Sequence, residues 1–144
     1  MKVTSKDIIR FIVDKTDCSE DEVTSESDLD NDLGCTGDDF HELIDEFAKT
    51  FGVDMNPYRW YFHTVDEGHS NSIGGFFFKA PSERVNHIAV TPAVLLESAN
   101  SGKWTINYPE HSLPRHRYDL IINQVIVLVF ALGLLSFLGY KCSR

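Results

Sequence analysis

Apolar positions fall at helical spacing in three stretches of this chain and become continuous in a fourth. The clearest stretch carries Phe40, Leu43, Ile44, Phe47, Ala48 and Phe51, spaced i, i+3, i+4, i+7, i+8 and i+11. That is one stripe of an amphipathic helix. Thr36 with Asp39 can cap its start, and Gly52 suits the left-handed position past its end. Upstream, Ile8, Ile9, Phe11, Ile12 and Val13 give a helix over about residues 5–16, with Thr4 and Asp7 close to a capping box. Thr91-Pro92 opens a third helix, in which Val94, Leu95 and Ala99 make the apolar side and Gly102 the stop. Between the first two helices, Cys18 to Asp32 is polar and acidic. Val23 and Leu29 are its isolated apolar anchors, so it reads as a long ordered loop that pins both into the core.

Residues 57–90 follow no single period. Tyr58-Arg-Trp-Tyr-Phe62 is dense in aromatics, His69 to Gly75 reads as a turn, and Phe76-Phe-Phe-Lys79 reads as a short strand or an apolar plug. A short hairpin near residues 73–79 fits that pattern. The aromatics either complete the core or form an exposed patch for a partner or for lipid headgroups.

From Leu120 to Tyr140 the pattern stops alternating. No charged residue occurs over these 21 positions, and 14 of them are Leu, Ile, Val or Phe. At ~1.5 Å per residue such a helix covers about 31 Å, against a hydrocarbon core of ~30 Å. Arg115, Arg117 and Tyr118 on one side and Tyr140, Lys141 and Arg144 on the other suit the two interfaces. The stretch is therefore read as a transmembrane helix. The start of the chain carries no secretory pattern, so the expected topology is tail-anchored, single-pass, with the domain in the cytoplasm. Residues 1–104 form the domain, 105–117 a proline-containing tether, and 118–144 the anchor with its short tail. Extended at ~3.3 Å per residue, the tether reaches about 43 Å, enough for the domain to sit on the bilayer or stand off it.

Charge sharpens this picture. The net charge is -9, but residues 1–56 hold 5 Lys/Arg and 16 Asp/Glu while residues 57–144 hold 8 and 6, so the halves carry -11 and +2. Nucleic-acid binding by the first half is not expected, because phosphate contacts need cations. Asp38, Asp39, Glu42, Asp45 and Glu46 crowd the polar face of the second helix. First-turn carboxylates favour the helix dipole, but capping does not require Asp45 and Glu46. A docking surface for a basic protein partner explains all five; a merely solubilising face is the plainer alternative.

Catalytic and metal-binding patterns are weak. Three cysteines (Cys18, Cys35, Cys142) make neither a disulfide framework nor a zinc site. Asp28, Asp30 and Asp32 start like a calcium loop, but Leu33 stands where its glycine belongs and Asp39 where its glutamate belongs. His63, His69 and His87 lack ligand spacing. No phosphate-binding glycine loop occurs. No cofactor and no enzymatic activity are expected.

Glu20-Asp-Glu-Val-Thr24, Asp32-Leu-Gly34, Glu42-Leu43, Glu46-Phe47 through Phe51, and Thr91-Pro-Ala-Val-Leu-Leu96 together resemble an acyl carrier protein. In that family an Asp-Leu-Gly leads into Ala-Asp-Ser-Leu-Asp, whose serine carries the phosphopantetheine arm. Here the run is Cys35-Thr-Gly-Asp-Asp39, so the serine position is Gly37 and the arm cannot be attached there. With the longer segment after Pro57, the closing Gly102-Lys-Trp104 and the anchor, the chain resembles a bacterial group of acyl-carrier-like proteins that lack the serine. The resemblance implies an all-α bundle of three or four helices, with an inserted aromatic-rich segment, held at a bacterial inner membrane. It implies a regulatory or scaffolding role and supplies no biochemical activity; the expected function is a non-enzymatic interaction module, an adaptor or decoy in lipid or polyketide metabolism. Two alternatives stay open. One is a non-covalent acyl-chain carrier, with Trp60, Phe62 and Phe76 to Phe78 lining a cavity. The other is a covalent carrier acylated elsewhere, for instance on Cys35 or Thr36.

Overall fold

The computed structural model describes residues 2–66 and 72–142. Five α-helices run in the order α1 (Ser5–Lys15), α2 (Gly37–Phe51), α3 (Ile73–Phe77), α4 (Pro92–Ser101) and α5 (Tyr118–Cys142). Short 3-10 turns lie at Trp60–Phe62 and Pro81–Arg84. Among the described residues there is no strand, only an isolated bridge between Asp54 and Lys103.

Local chemistry accounts for the helix ends. Thr4 and Asp7 form a full capping box: the Asp7 amide donates to Thr4 Oγ1 at 3.3 Å and the Thr4 amide to Asp7 at 2.9 Å. Thr91 caps α4 by accepting from the Val94 amide. Gly52 and Gly102 end α2 and α4 at φ 66° and 73°, the left-handed region where a side chain would be strained.

The stripes that define α1 and α2 meet in the core. Ile8, Ile12, Phe40 and Phe47 are fully buried, as is Leu95 from α4. Phe11 stands edge-on to Phe47 and Phe51, with ring centroids 6.1 and 5.5 Å away. Each such side chain contributes roughly 1.5–3 kcal/mol relative to exposure. The long loop behaves as its pattern predicts. Val23 and Leu29 are buried, and the Leu29 amide donates to the Val90 carbonyl at 3.0 Å. Two carboxylates serve that loop: Asp32 accepts from the Asp28 amide, and Asp28 accepts from Asn31 and His87.

Residues 57–90 divide sharply. Phe62 and His63 are buried with Thr64, and Tyr58 stacks on His63 at 5.5 Å, so this part completes the core. The expected hairpin near 73–79 is not formed. Residues 73–77 are a single helical turn and more, capped by Ser72, which accepts from the Gly75 amide. Its position is set by α5: the Gly74 amide donates to Asn123 Oδ1 at 2.8 Å. The turn read over His69 to Gly75 falls partly on residues 67–71, outside the described residues. Residues 105–117 begin along the domain, where Ile106 and Tyr108 pack on the core and Tyr61 donates to His111 at 2.7 Å.

Tyr58 carries a cost. Its hydroxyl is buried with no hydrogen-bond partner among the described residues, and burial drives its pKa upward. An unpaired buried hydroxyl costs on the order of 1–3 kcal/mol. Tyr58→Phe keeps the ring stack and is expected to raise stability by about 1 kcal/mol in chemical denaturation; a loss of similar size would show that the hydroxyl is paired.

α5 is the one helix among the described residues long and apolar enough to cross a membrane. Its apolar residues from Val127 onward face outward, not into the domain.

Candidate functional site

The outer face of α2 gathers all five carboxylates singled out from the sequence. Asp38, Asp39, Glu42 and Asp45 are exposed and Glu46 is half-buried. Among the described residues, the one cation paired with them is Lys15, from the last turn of α1, which bonds to Glu46. The hydrogen bond to Glu46 raises the Lys15 pKa, with help from Glu42 and Asp14.

The acidic surface is larger than the helix pattern reveals. Asp14, Asp17 and Glu22 join Asp39 around a surface groove of about 600 Å³, with Lys15, Thr16, Cys18, Leu33, Gly34 and Cys35 completing the wall. A smaller notch of about 140 Å³ follows, between Lys15, Asp39, Glu42, Leu43 and Glu46. Sequence reasoning missed the first three residues because they lie on the end of α1 and on the loop. The charge imbalance of residues 1–56 was the available signal, but it does not say which acids share a face.

Gly37 opens α2 in the left-handed region, φ 54°, and is buried. Its amide donates to Thr64 Oγ1 at 2.9 Å. Thr36 precedes it in extended backbone but makes no side-chain cap bond, which corrects the Thr36–Asp39 cap. A left-handed residue directly after Thr36 redirects the chain, and Thr64, 27 residues on, supplies a hydroxyl to the first helical amide, that of Gly37. Cys35 is buried, and burial, then Asp39 and Asp30, push its thiol up to about 11. It stays protonated near neutrality and is a poor nucleophile.

The histidines do not converge. His63 is held between two partners in the core. Its Nδ1–H donates to the Ile88 carbonyl and its Nε2 accepts from Tyr108, both at 2.7 Å. Tyr108 accepts in turn from Trp104 Nε1 at 2.8 Å and from the Arg59 amide at 3.1 Å. Burial pushes the His63 imidazole down to about 4. His87 sits 2.6 Å from Asp28. Burial raises the Asp28 carboxyl, but hydrogen bonds from Asn31 and His87 outweigh it and leave the pKa below its usual range. His69 lies outside the described residues. Among the described residues no group of three or more His, Cys, Asp or Glu could hold a metal ion.

The aromatics proposed to line an acyl cavity are not brought together. Phe62 is packed solid, and Phe76 and Phe77 are 83% and 67% exposed. Trp60 and Phe78 do share a pocket of about 270 Å³, but with Tyr61, Lys79, Arg84, Tyr118 and other residues at the foot of α5.

Fold and surface together define a small domain, all-helical among the described residues, with an acidic face, followed by a long apolar helix. The chain belongs to the family described as "Protein of unknown function (DUF1493)", which matches residues 4–107 and so covers α1 to α4. No solved structure matches the chain.

Proposed function

We propose that this domain is a non-enzymatic interaction module of acyl-carrier-like shape that docks a basic protein partner through α2. The observation that carries the reading is the α2 face itself, where five carboxylates meet a single paired cation among the described residues and continue into the groove walled by Asp14, Asp17 and Glu22. Carboxylates massed this way repel one another and give up folding free energy; a partner's lysines and arginines relieve that repulsion on contact. Such complementarity speeds and orients encounter more than it adds affinity. Association is therefore expected to weaken steeply between low salt and ~0.15 M, where the screening length falls to ~8 Å. Surface plasmon resonance over a salt series reads this; an association rate indifferent to salt would remove the docking role.

The acyl-carrier likeness enters through Gly37. A carrier serine must be open to the enzyme that loads it, whereas residue 37 is buried beneath Thr64. We read the glycine as a backbone requirement of this fold, not merely a lost hydroxyl. Gly37→Ser is expected to cost about 1–2 kcal/mol, the penalty of a side chain in the left-handed region. It should also gain no mass when incubated with coenzyme A and a phosphopantetheinyl transferase. Stoichiometric loading of that variant would show that position 37 is open to the loading enzyme and that the glycine is only a lost hydroxyl.

In this reading the module is tethered by residues 120–140, which cross the inner membrane of a bacterium once, with the domain in the cytoplasm. The length and composition of α5 support the crossing.

A further inference from the structure

α3 is only five residues long, yet it holds three large apolar side chains in the open. Ile73, Phe76 and Phe77 are 54%, 83% and 67% exposed. On its other side α3 is committed to α5. A Cβ at Gly74 would fall 1.9 Å from the Asp119 carbonyl oxygen, so the two backbones touch and only glycine fits. The Gly74 amide is satisfied by Asn123 Oδ1. Arg117 then locks the junction, donating to both oxygens of buried Asp119 and to Asp66 at 2.8 Å.

This fixes the height of α3 along α5. Asp119 to Asn123 is four residues, about 6 Å of helix, and Asp119, Asn123 and Gln124 put polar side chains in the first two turns of α5, ahead of the apolar run from Val125 to Leu135. On the reading that α5 crosses a bilayer, those turns lie at its boundary, and anything packed beside them lies there too. α3 packs against the end of α5 where Tyr118, Leu120 and Ile121 are also exposed, so both helices present apolar side chains to the surroundings at this level. Exposed Lys79 and Arg84 follow α3 in the chain and exposed Arg115 precedes α5, positions where snorkelling cations suit anionic headgroups.

We propose that α3 is a membrane-interface wedge: Phe76 and Phe77 enter the boundary between acyl chains and headgroups beside α5 and hold the domain against the bilayer at a fixed height. The occupant of this apolar face is one lipid leaflet. The proposal rests on the membrane-spanning reading of α5, and its consequence is that residues 105–117 do not act as a free standoff.

The test is spin-label depth measurement on the full chain in vesicles of phosphatidylethanolamine and phosphatidylglycerol. Labels are placed one at a time at Ile73→Cys, Phe77→Cys, Phe130→Cys and Thr50→Cys, with Cys18→Ser, Cys35→Ala and Cys142→Ser as background. Each of the four sites is exposed on the protein itself, so a label meets whatever surrounds the chain there. Thr50 on α2 serves as the solvent reference and Phe130, mid-way along α5, as the lipid reference. Collision with oxygen reports lipid, and collision with a water-soluble nickel chelate reports solvent. The expected result is a several-fold fall in nickel collisions at 73 and 77 relative to 50, with oxygen collisions intermediate between 50 and 130. Labels at 73 and 77 that meet nickel as freely as 50, while 130 is deep, would overturn the wedge and leave the span intact. Labels at 73 and 77 shielded from both reagents would mean that protein, a second copy included, covers α3, and would overturn it too. Nickel access at 130 would overturn the spanning reading and the wedge with it.

Discussion

Glu42→Lys with Asp45→Lys is expected to abolish docking of the basic partner. The two substitutions change the net charge of the α2 face by four units at its centre, where Glu42 borders the notch and Asp45 is exposed one turn on. Like-charge contact costs several kcal/mol in such an interface, so a loss of at least about 100-fold in affinity follows, roughly 3 kcal/mol. The fold should tolerate the change. Neither side chain enters the core, whose α2 contribution is Phe40, Leu43, Ile44 and Phe47. Unaltered helicity with lost binding is the expected pair of results. Retained binding by a folded variant would show that the acid face only solubilises the domain.

Acid is expected to unfold the domain through His63. In the folded chain burial brings its pKa from 6.5 to about 4, so the native imidazole is neutral, donating to Ile88 and accepting from Tyr108. The unfolded chain takes up a proton near 6.5. Between those values the unfolded state binds more protons, so stability falls as pH falls through the window and levels off below it. A shift of this size is worth about 3 kcal/mol. Asp28 acts in the same direction at lower pH: its pKa is depressed in the fold, so the stability it contributes above its unfolded value is lost on protonation. Denaturation of the detergent-solubilised chain, followed by the near-ultraviolet signal of buried Trp104, should show the loss. His63→Gln is less stable at neutral pH but lacks the titration, so its stability should change much less between about pH 7 and about pH 4.5. Parallel losses in both proteins would place the acid sensitivity elsewhere.

The parts of this structure that the sequence announces are those whose causes are local. α1, α2 and α4 are set by caps and stripes within a dozen residues, so Thr4, Gly52 and Thr91 mark their ends correctly. α3 could not be read that way. Ile73-Gly-Gly-Phe-Phe77 has turn-forming glycines and strand-favouring aromatics, and the contact that places it, Gly74 on the backbone of Asp119, lies 45 residues further on. Gly37 shows the same division. The sequence displays a glycine in an unexpected place; its positive φ and the Thr64 hydroxyl over it depend on how residues 58–64 fold back. The acidic site was legible as far as one helix face extends. Asp14, Asp17 and Glu22 join it only because α1 and the following loop end beside Asp39. His63 was visible only as a histidine without ligand spacing, since its partners Ile88 and Tyr108 are 25 and 45 residues away.

Docking through an unarmed acidic helix meets its sharpest test in site-specific photocrosslinking in native membranes. A photoreactive amino acid at Asp38, at the start of the acidic face and exposed, is compared in the natural chain and in the Glu42→Lys, Asp45→Lys variant, at low and at high salt. The expected result is one dominant adduct to a protein whose crosslinked peptides are rich in lysine and arginine, lost in the variant and diminished by salt. The same adducts in both chains at both salt concentrations would contradict it.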